Sequence, residues 1–167
     1  MEVIKKNGLL TLPITCVFLI SGVAVNIGQL ALYSTVRPFS LSTYRYLNQK
    51  LVPLNWSLFV CLADWWAGLN MKLYSKPGEW DKVGQDQALV CLNHASDIDW
   101  LLGWMVAERF HMLGGTKALM KESAKYLPVL GWSWFFSEFI WLKRNWNADK
   151  NAMGSGLQSV CLPMMYV

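Results

Sequence analysis

The feature that most constrains this chain is an apolar run near its N-terminus, residues 9–25, in which no side chain carries a charge. The run can extend to residue 33 if the amide side chains of Asn26 and Gln29 find hydrogen-bond partners. A helix of about 20 apolar residues is long enough to span a bilayer. The sequence therefore predicts a membrane anchor at this end.

A cleaved signal peptide is the alternative to a retained anchor. Lys5 and Lys6 could form its basic start, residues 9–20 its apolar centre and residues 23–25 a loose cleavage site. The apolar run continues past that site. The four Cys are scattered and show neither a disulfide framework nor a zinc pattern, so they do not indicate an oxidising compartment. Both observations favour a retained anchor.

The composition of the chain also points to a membrane. Hydrophobic residues make up 54% of it and charged residues 16%, with ten Trp, which is more apolar surface than a soluble domain of 167 residues usually hides. The net charge of +4 suits an anionic lipid surface or a phosphorylated substrate. A nucleic-acid reader would carry a denser basic stripe, so composition argues against that class.

A second apolar stretch, residues 51–69, contains Pro53 near its start and Asp64 inside it. A charged group at the centre of a bilayer costs about 3 kcal/mol on insertion scales, which disfavours a full crossing. We predict a helix that lies in one leaflet, and an amphipathic helix packed on the domain is the alternative. The leaflet prediction places three aromatic side chains near the headgroups: Trp56, Trp65 and Trp66.

The character of the chain changes near residue 74, where a polar segment contains the turn signal Pro77-Gly78. We predict N-terminal membrane helices over residues 1–73, a globular domain over 74–158 and a divergent tail over 159–167. Strands alternating with helices indicate an α/β domain with a largely parallel sheet. The predicted strands are residues 88–92, 117–120 and 139–142, and the predicted helices are residues 99–106, 122–126 and 148–157.

The segment from Asn93 to Trp100 lies where the first predicted strand passes into a helix, and it contains His94 and Asp99. An imidazole can take a proton from an alcohol, and a carboxylate on its other nitrogen fixes the tautomer. The alternative is structural: Ser96 would cap the helix, Asp99 would complete a capping box and Asp97 would favour the helix dipole. A metal site would need more ligands than this segment offers.

The pattern Asn-His-x-Ser-x-x-Asp resembles the first signature block of the glycerophospholipid acyltransferases, with His94 and Asp99 as its His-x4-Asp pair. The stretches Gly-Gly-Thr-Lys-Ala-Leu-Met-Lys and Leu-Pro-Val-Leu-Gly-Trp are similar to eukaryotic 1-acylglycerol-3-phosphate (lysophosphatidic acid) acyltransferases. The resemblance runs from the anchor to about residue 158. The order of these blocks is far more specific than a bare His-x4-Asp.

The resemblance implies transfer of an acyl group from acyl-CoA to the sn-2 hydroxyl of 1-acylglycerol 3-phosphate, which gives phosphatidic acid. His94 would be the general base and Asp99 would orient it. The resemblance also implies no metal or redox cofactor, acyl-CoA as co-substrate and a location in the endoplasmic reticulum membrane. The implied fold is N-terminal membrane helices followed by an incomplete, mostly parallel acyltransferase-type sheet with flanking helices.

The family's second block, an aromatic residue followed by Arg, is similar to Trp141-Leu142-Lys143-Arg144. The resemblance makes Arg144 the candidate ligand for the acceptor's phosphate, because a guanidinium fork suits that group. Snorkelling beside an aromatic patch is the alternative, and it is retained for Lys143. Three further residues are weaker candidates: Lys117 and Lys121 could hold phosphate or coenzyme A or be simply solvated, and His111 is interpreted as structural.

Full-length members of this family continue with a block of the Glu-Gly-Thr-Arg type, which residues 159–167 do not resemble. We therefore expect an incomplete domain that carries the catalytic pair and has little activity. A non-catalytic membrane-bound interaction or regulatory fragment of the same family is the alternative function.

The anchor is directly testable. We predict that the chain fractionates with membranes and resists carbonate extraction, because residues 9–25 are apolar, uncharged and long enough to insert. Recovery of the intact chain in the soluble fraction would contradict the anchor, and a shortened N-terminus found by sequencing would favour the signal peptide.

Overall fold

The computed structural model describes residues 8–85, 87–96 and 98–161. Lys5, Lys6 and Asp97, on which parts of the sequence argument rest, lie outside the described residues, as does the chain beyond residue 161. The described chain forms two compact units. The predicted domain boundary at residue 73/74 lies inside the second unit and stays a prediction.

The first unit contains the chain up to Asn55 and the chain from Lys117 onward. Its helices and strands are α1 (Gly8–Thr35), α2 (Leu41–Leu51), the start of α3 (Pro53–Cys61), β1 (Leu119–Lys121), a 3₁₀ helix (Glu122–Tyr126), α4 (Leu130–Phe136), β2 (Ile140–Leu142) and α5 (Trp146–Cys161).

Helix α1 is long and apolar enough over Leu12–Thr35 to cross a membrane, by length and composition. The side-chain nitrogens of its two amides find partners, as its extension past residue 25 requires, whereas the side-chain oxygens of both have none among the described residues. Asn26 Nδ2 donates to the Val129 carbonyl oxygen at 2.9 Å, and Gln29 Nε2 donates to Asn48 Oδ1 at 2.9 Å. Because an unpaired buried amide is costly, these bonds fix which face of α1 packs on α2 and on the start of α4.

The sheet described in this unit has two parallel strands, with Leu119 opposite Ile140 and Lys121 opposite Leu142. Both strands fall within two residues of their predicted positions, and the parallel pairing is as expected. The carboxyl ends of both strands therefore lie at one edge of the sheet. Lys121 ends β1 at that edge, and the segment that contains Arg144 follows β2 there.

The second unit runs from Trp56 to Thr116 and contains the rest of α3, a π-helical turn (Leu62–Trp66), a 3₁₀ helix (Trp80–Lys82), α6 (Asp99–Arg109) and a 3₁₀ turn (Leu113–Gly115). Helix α6 confirms the helix predicted from residue 99.

An aromatic cluster between α3 and α6 forms the core of the second unit. The Trp56 and Trp104 rings stack with their centroids 4.4 Å apart, and Phe59 and Trp100 pack edge-on against Trp104. Trp56 is fully buried, so its predicted place among lipid headgroups is wrong, whereas Trp65 is exposed. An indole buries more apolar area in this cluster than a half-immersed interfacial position would allow. The packed-helix alternative therefore fits the start of the 51–69 stretch.

Two further predictions in the second unit have different outcomes. Asp64, whose charge argued against a membrane crossing, pairs with the Arg109 guanidinium at 3.1 Å. The strand predicted over residues 88–92 does not form, because residues 87–95 are irregular and exposed. A strand requires a neighbour for its backbone hydrogen bonds, and the sheet in the described residues consists of β1 and β2.

Gly131, in the first turn of α4, allows this helix to approach the preceding 3₁₀ helix closely. A Cβ placed there would lie 2.2 Å from the Lys125 carbonyl oxygen, a backbone atom that cannot move away freely. We predict that Gly131→Ala lowers the thermal unfolding temperature of the chain in detergent. Gly154, in α5 with nothing within 4 Å of its added Cβ, is the matched control.

Gly154→Ala should leave the unfolding temperature unchanged or raise it, because Ala is favoured over Gly inside a helix by about 1 kcal/mol. Equal behaviour of the two variants would contradict the close packing at Gly131.

Candidate active site

The predicted catalytic pair meets at the start of α6. His94 lies in the irregular segment that precedes the helix, and Asp99 is the first residue of the helix. His94 Nδ1 and Asp99 Oδ2 are 2.9 Å apart. The imidazole is 74% exposed and the carboxylate 19% exposed. The ring of His94 is therefore open to solvent, whereas the carboxylate of Asp99 is largely covered.

The same carboxylate oxygen also holds the backbone of the loop. Asp99 Oδ2 accepts hydrogen bonds from the Ala95 amide at 2.7 Å and from the Ser96 amide at 2.8 Å. The Ser96 amide, the His94 side chain and the Ala95 amide together hold the pKa of the Asp99 carboxyl below its ordinary value. The carboxylate is therefore ionised at neutral pH and acts only as an acceptor.

The role of Asp99 as an acceptor decides which nitrogen of His94 is available for chemistry. An ionised carboxylate cannot donate, so the proton in the His94–Asp99 contact belongs to Nδ1. The neutral imidazole then has its lone pair on Nε2. Because the ring is largely exposed, Nε2 can reach a hydroxyl group brought to the site and can remove its proton.

The capping box that is the structural alternative for Asp99 is formed only in part. Its carboxylate reaches back to the Ser96 amide, as the acidic residue of a capping box does. In a full capping box the Ser96 hydroxyl would accept a hydrogen bond from the Asp99 amide. Here it accepts one from the Ile98 amide instead, at 3.5 Å. Asp99 therefore orders the loop and contacts the imidazole at the same time, so the two interpretations of this residue are compatible.

Arg144 belongs to the first unit, where it follows β2 in an exposed loop. Its backbone has φ of +62°, which a residue with a Cβ rarely adopts. The buried carboxylate of Asp149 holds both sides of this position, accepting from the Lys143 amide and from the Asn145 amide at 2.9 Å each. Asp149 was not singled out in the sequence. The sequence feature that could have indicated Asp149 is its place as an acidic residue in the first turn of a predicted helix.

The weaker cationic candidates have distinct surroundings. Lys117 Nζ lies 2.9 Å from Glu138 Oε2, which also accepts from Arg45 Nε at 2.6 Å. Burial raises the pKa of Glu138, but the bonds from Arg45 and Lys117 outweigh it and keep that pKa below its ordinary value. Burial lowers the pKa of Lys117. Lys117 is therefore part of a three-residue ion cluster within its unit.

His111 follows α6 in an exposed position with φ of +56°. Its interpretation as a structural residue stays a prediction. Among the residues that the structure describes, no group of three or more His, Cys, Asp or Glu could hold a metal ion.

The unit around α6 thus presents a histidine whose ring contacts a carboxylate, an arrangement found in enzymes that activate hydroxyl groups. The model of the Acyltransferase family matches residues 75–162, just over half of the chain, and includes His94, Asp99 and Arg144. The chain belongs to the acyltransferase family, and its helices and two parallel strands are consistent with an α/β acyltransferase fold.

The chain is similar to curated acyltransferases of plants and animals. It is 45% identical over 150 residues to 1-acyl-sn-glycerol-3-phosphate acyltransferase 3 of Arabidopsis thaliana, covering 90% of this chain and 40% of that protein. It is 36% identical over 155 residues to 1-acyl-sn-glycerol-3-phosphate acyltransferase gamma of Homo sapiens, covering 93% and 41%. The chain thus spans about 40% of the length of these relatives. No solved structure matches it.

The low pKa of Asp99 gives a prediction for acid titration. Because the pKa in the folded chain is depressed, the hydrogen bonds to the ionised carboxylate are present at neutral pH and are lost only as the pH falls through that lowered value. We expect the amide proton shifts of Ala95 and Ser96, followed by NMR in detergent, to titrate together with a midpoint below 3.8. A midpoint at or above 3.8 would mean that the carboxylate does not hold the loop.

Proposed function

We propose that the protein transfers an acyl group from acyl-CoA to the sn-2 hydroxyl of 1-acylglycerol 3-phosphate and so forms phosphatidic acid. The observation that carries the proposal is the 2.9 Å contact between His94 Nδ1 and Asp99 Oδ2, in a chain whose relatives bear the name of this reaction. The contact supplies a base with a defined free nitrogen, which a hydroxyl acceptor requires.

In the proposed reaction, Nε2 of His94 removes the proton from the sn-2 hydroxyl while the oxygen attacks the thioester carbonyl carbon. The tetrahedral intermediate then collapses, the carbon–sulfur bond breaks, and the CoA thiolate leaves with the proton carried by the imidazolium. His94 returns to its neutral form. The acyl group passes directly between the substrates, so no acyl-enzyme is formed.

Asp99 contributes to both halves of this cycle. Its bond to Nδ1 keeps the lone pair on Nε2 before the reaction, and its negative charge stabilises the imidazolium that forms during it. Its bonds to the Ala95 and Ser96 amides fix the loop that carries His94. Pre-organisation of this kind matters because small displacements of a catalytic group can cost about 100-fold in rate.

Arg144 is the proposed ligand of the acceptor's phosphate. A guanidinium can donate two parallel hydrogen bonds to phosphate oxygens, and Arg144 is exposed at the carboxyl end of a strand. Lysophosphatidic acid presents a phosphate monoester that such a group would recognise.

We propose that α1 anchors the protein in the endoplasmic reticulum membrane. The helix is long and apolar enough to cross a bilayer, and Trp132 and Phe135 of α4 expose large aromatic surfaces in the same unit. Both substrates carry acyl chains, so an anchored enzyme meets them where they are concentrated.

The catalytic role is tested in nanodiscs with the chain extended by the remainder of a relative's acyltransferase domain, because the chain alone is expected to have little activity. The measurement is release of CoA in the presence of lysophosphatidic acid and acyl-CoA. We expect His94→Asn to lower turnover by about 10²- to 10⁴-fold, because it removes the base. The amide can still donate to Asp99, so the loop should remain folded. Asp99→Asn should lose most of the activity too.

His111→Asn is the matched control, because it removes the other histidine and Asn tolerates a positive φ. It should keep full activity. A rate of the unsubstituted extended chain no higher than that of its His94→Asn variant would contradict the proposed function.

Arg144→Ala should raise the apparent KM for lysophosphatidic acid more than that for acyl-CoA. Charge-assisted hydrogen bonds to phosphate contribute about 1.5–3 kcal/mol, which corresponds to roughly 10-fold or more in affinity. Lys143→Ala, one residue earlier and also exposed, is the matched control and should change either KM much less. Equal increases for both substrates would indicate a folding defect and contradict the phosphate role.

A further inference from the structure

Asp149 is a buried carboxylate that the proposed reaction does not use. It is only 6% exposed, although it belongs to the first turn of a helix that begins at the surface. Its two oxygens are divided between two backbone amides: Oδ1 accepts from Lys143 and Oδ2 from Asn145. The residue between those amides is Arg144.

Arg144 has a backbone conformation that it would not adopt without support. Its φ of +62° places it in the left-handed region, where a Cβ lies too close to the following carbonyl oxygen. A residue held there persists only when its surroundings fix the chain on both sides. The two hydrogen bonds that Asp149 accepts fix the chain immediately before and immediately after Arg144.

Helix capping alone does not explain this carboxylate. The start of α5 already has a side-chain cap, because Asn145 Oδ1 accepts from the Asn147 amide at 3.1 Å. Both oxygens of Asp149 instead serve residues that precede the helix. The interaction therefore orders the loop that carries Arg144 in addition to any favourable contact with the helix dipole.

We propose that Asp149 is a positioning residue: it holds Arg144 in the left-handed conformation and thereby sets the affinity of the protein for a phosphate monoester headgroup. The inference rests on the proposed role of Arg144 as the phosphate ligand. Asp149 does not touch the substrate. Without it, the loop relaxes towards negative φ and the guanidinium leaves the direction in which it meets the phosphate.

Asp149→Asn is the variant that tests this role most closely. An amide has one acceptor oxygen and one donor group, so it can keep one of the two backbone bonds and must oppose the other with an N–H group. The side-chain size is unchanged. If this variant fails to fold, Asp149→Glu keeps both acceptor oxygens and the charge but moves them by one methylene, and the same measurements apply.

The experiment is a double-mutant cycle with the full chain in detergent micelles. The dissociation constant for a short-chain lysophosphatidic acid is measured by Trp fluorescence for the wild type, Asp149→Asn, Arg144→Ala and the double variant. A short-chain lysophosphatidylcholine, whose phosphate is a diester, is the control ligand.

We expect Asp149→Asn and Arg144→Ala each to weaken lysophosphatidic acid binding by about 10-fold or more, and the double variant to bind no more weakly than Arg144→Ala alone. Binding of the diester should change little. Additive losses in the double variant, or undiminished binding by Asp149→Asn, would overturn the positioning role while leaving the proposed function intact.

A wild type that shows no preference for the monoester would overturn the proposed phosphate site and this inference with it. An effect of Asp149→Asn on both ligands alike would assign the residue a purely structural role. Each outcome thus separates failure of the positioning role from failure of the proposed acceptor site.

Discussion

A single oxygen atom, Oδ2 of Asp99, accepts hydrogen bonds from the His94 ring and from the Ala95 and Ser96 amides, and the candidate active site is arranged around it. Three donors on one oxygen keep the carboxylate ionised, which makes it an acceptor towards the imidazole. The loop conformation, the orientation of the ring and the position of the free lone pair all follow from that constraint. One residue thus orders the loop and orients the ring at the same time.

The loop that carries Arg144 is ordered by the same means. A carboxylate in the first turn of the following helix, that of Asp149, accepts hydrogen bonds from the backbone amides that flank Arg144. An acidic side chain is favourable at that end of a helix, so the first turn of each helix can hold a carboxylate that orders the loop before it. The two carboxylates differ in burial, because Asp149 is 6% exposed whereas the side chain of Asp99 is 19% exposed.

Local sequence patterns predicted the elements that local forces determine, and the rest depended on neighbours distant in sequence. Helix α6 and the approach of His94 to Asp99 were predictable, since five residues and one helix start decide them. The failed strand at residues 88–92 was not, because apolar residues of the right length do not show whether another strand will pair with them. The hydrogen bonds that Asp149 accepts on both sides of Arg144 were not predictable either, since they depend on the backbone conformation of Arg144, which the sequence does not reveal.

The proposed role of His94 as the base depends most directly on the tautomer of its ring. With ¹⁵N-labelled histidine, the ring nitrogen shifts of the neutral imidazole distinguish a proton on Nδ1 from a proton on Nε2, and the His94→Asn variant assigns the signal against that of His111. We predict that neutral His94 carries its proton on Nδ1, and that Asp99→Asn removes this preference. A neutral His94 protonated mainly on Nε2 in the wild type would leave no lone pair for the hydroxyl proton and would contradict the assignment of His94 as the base.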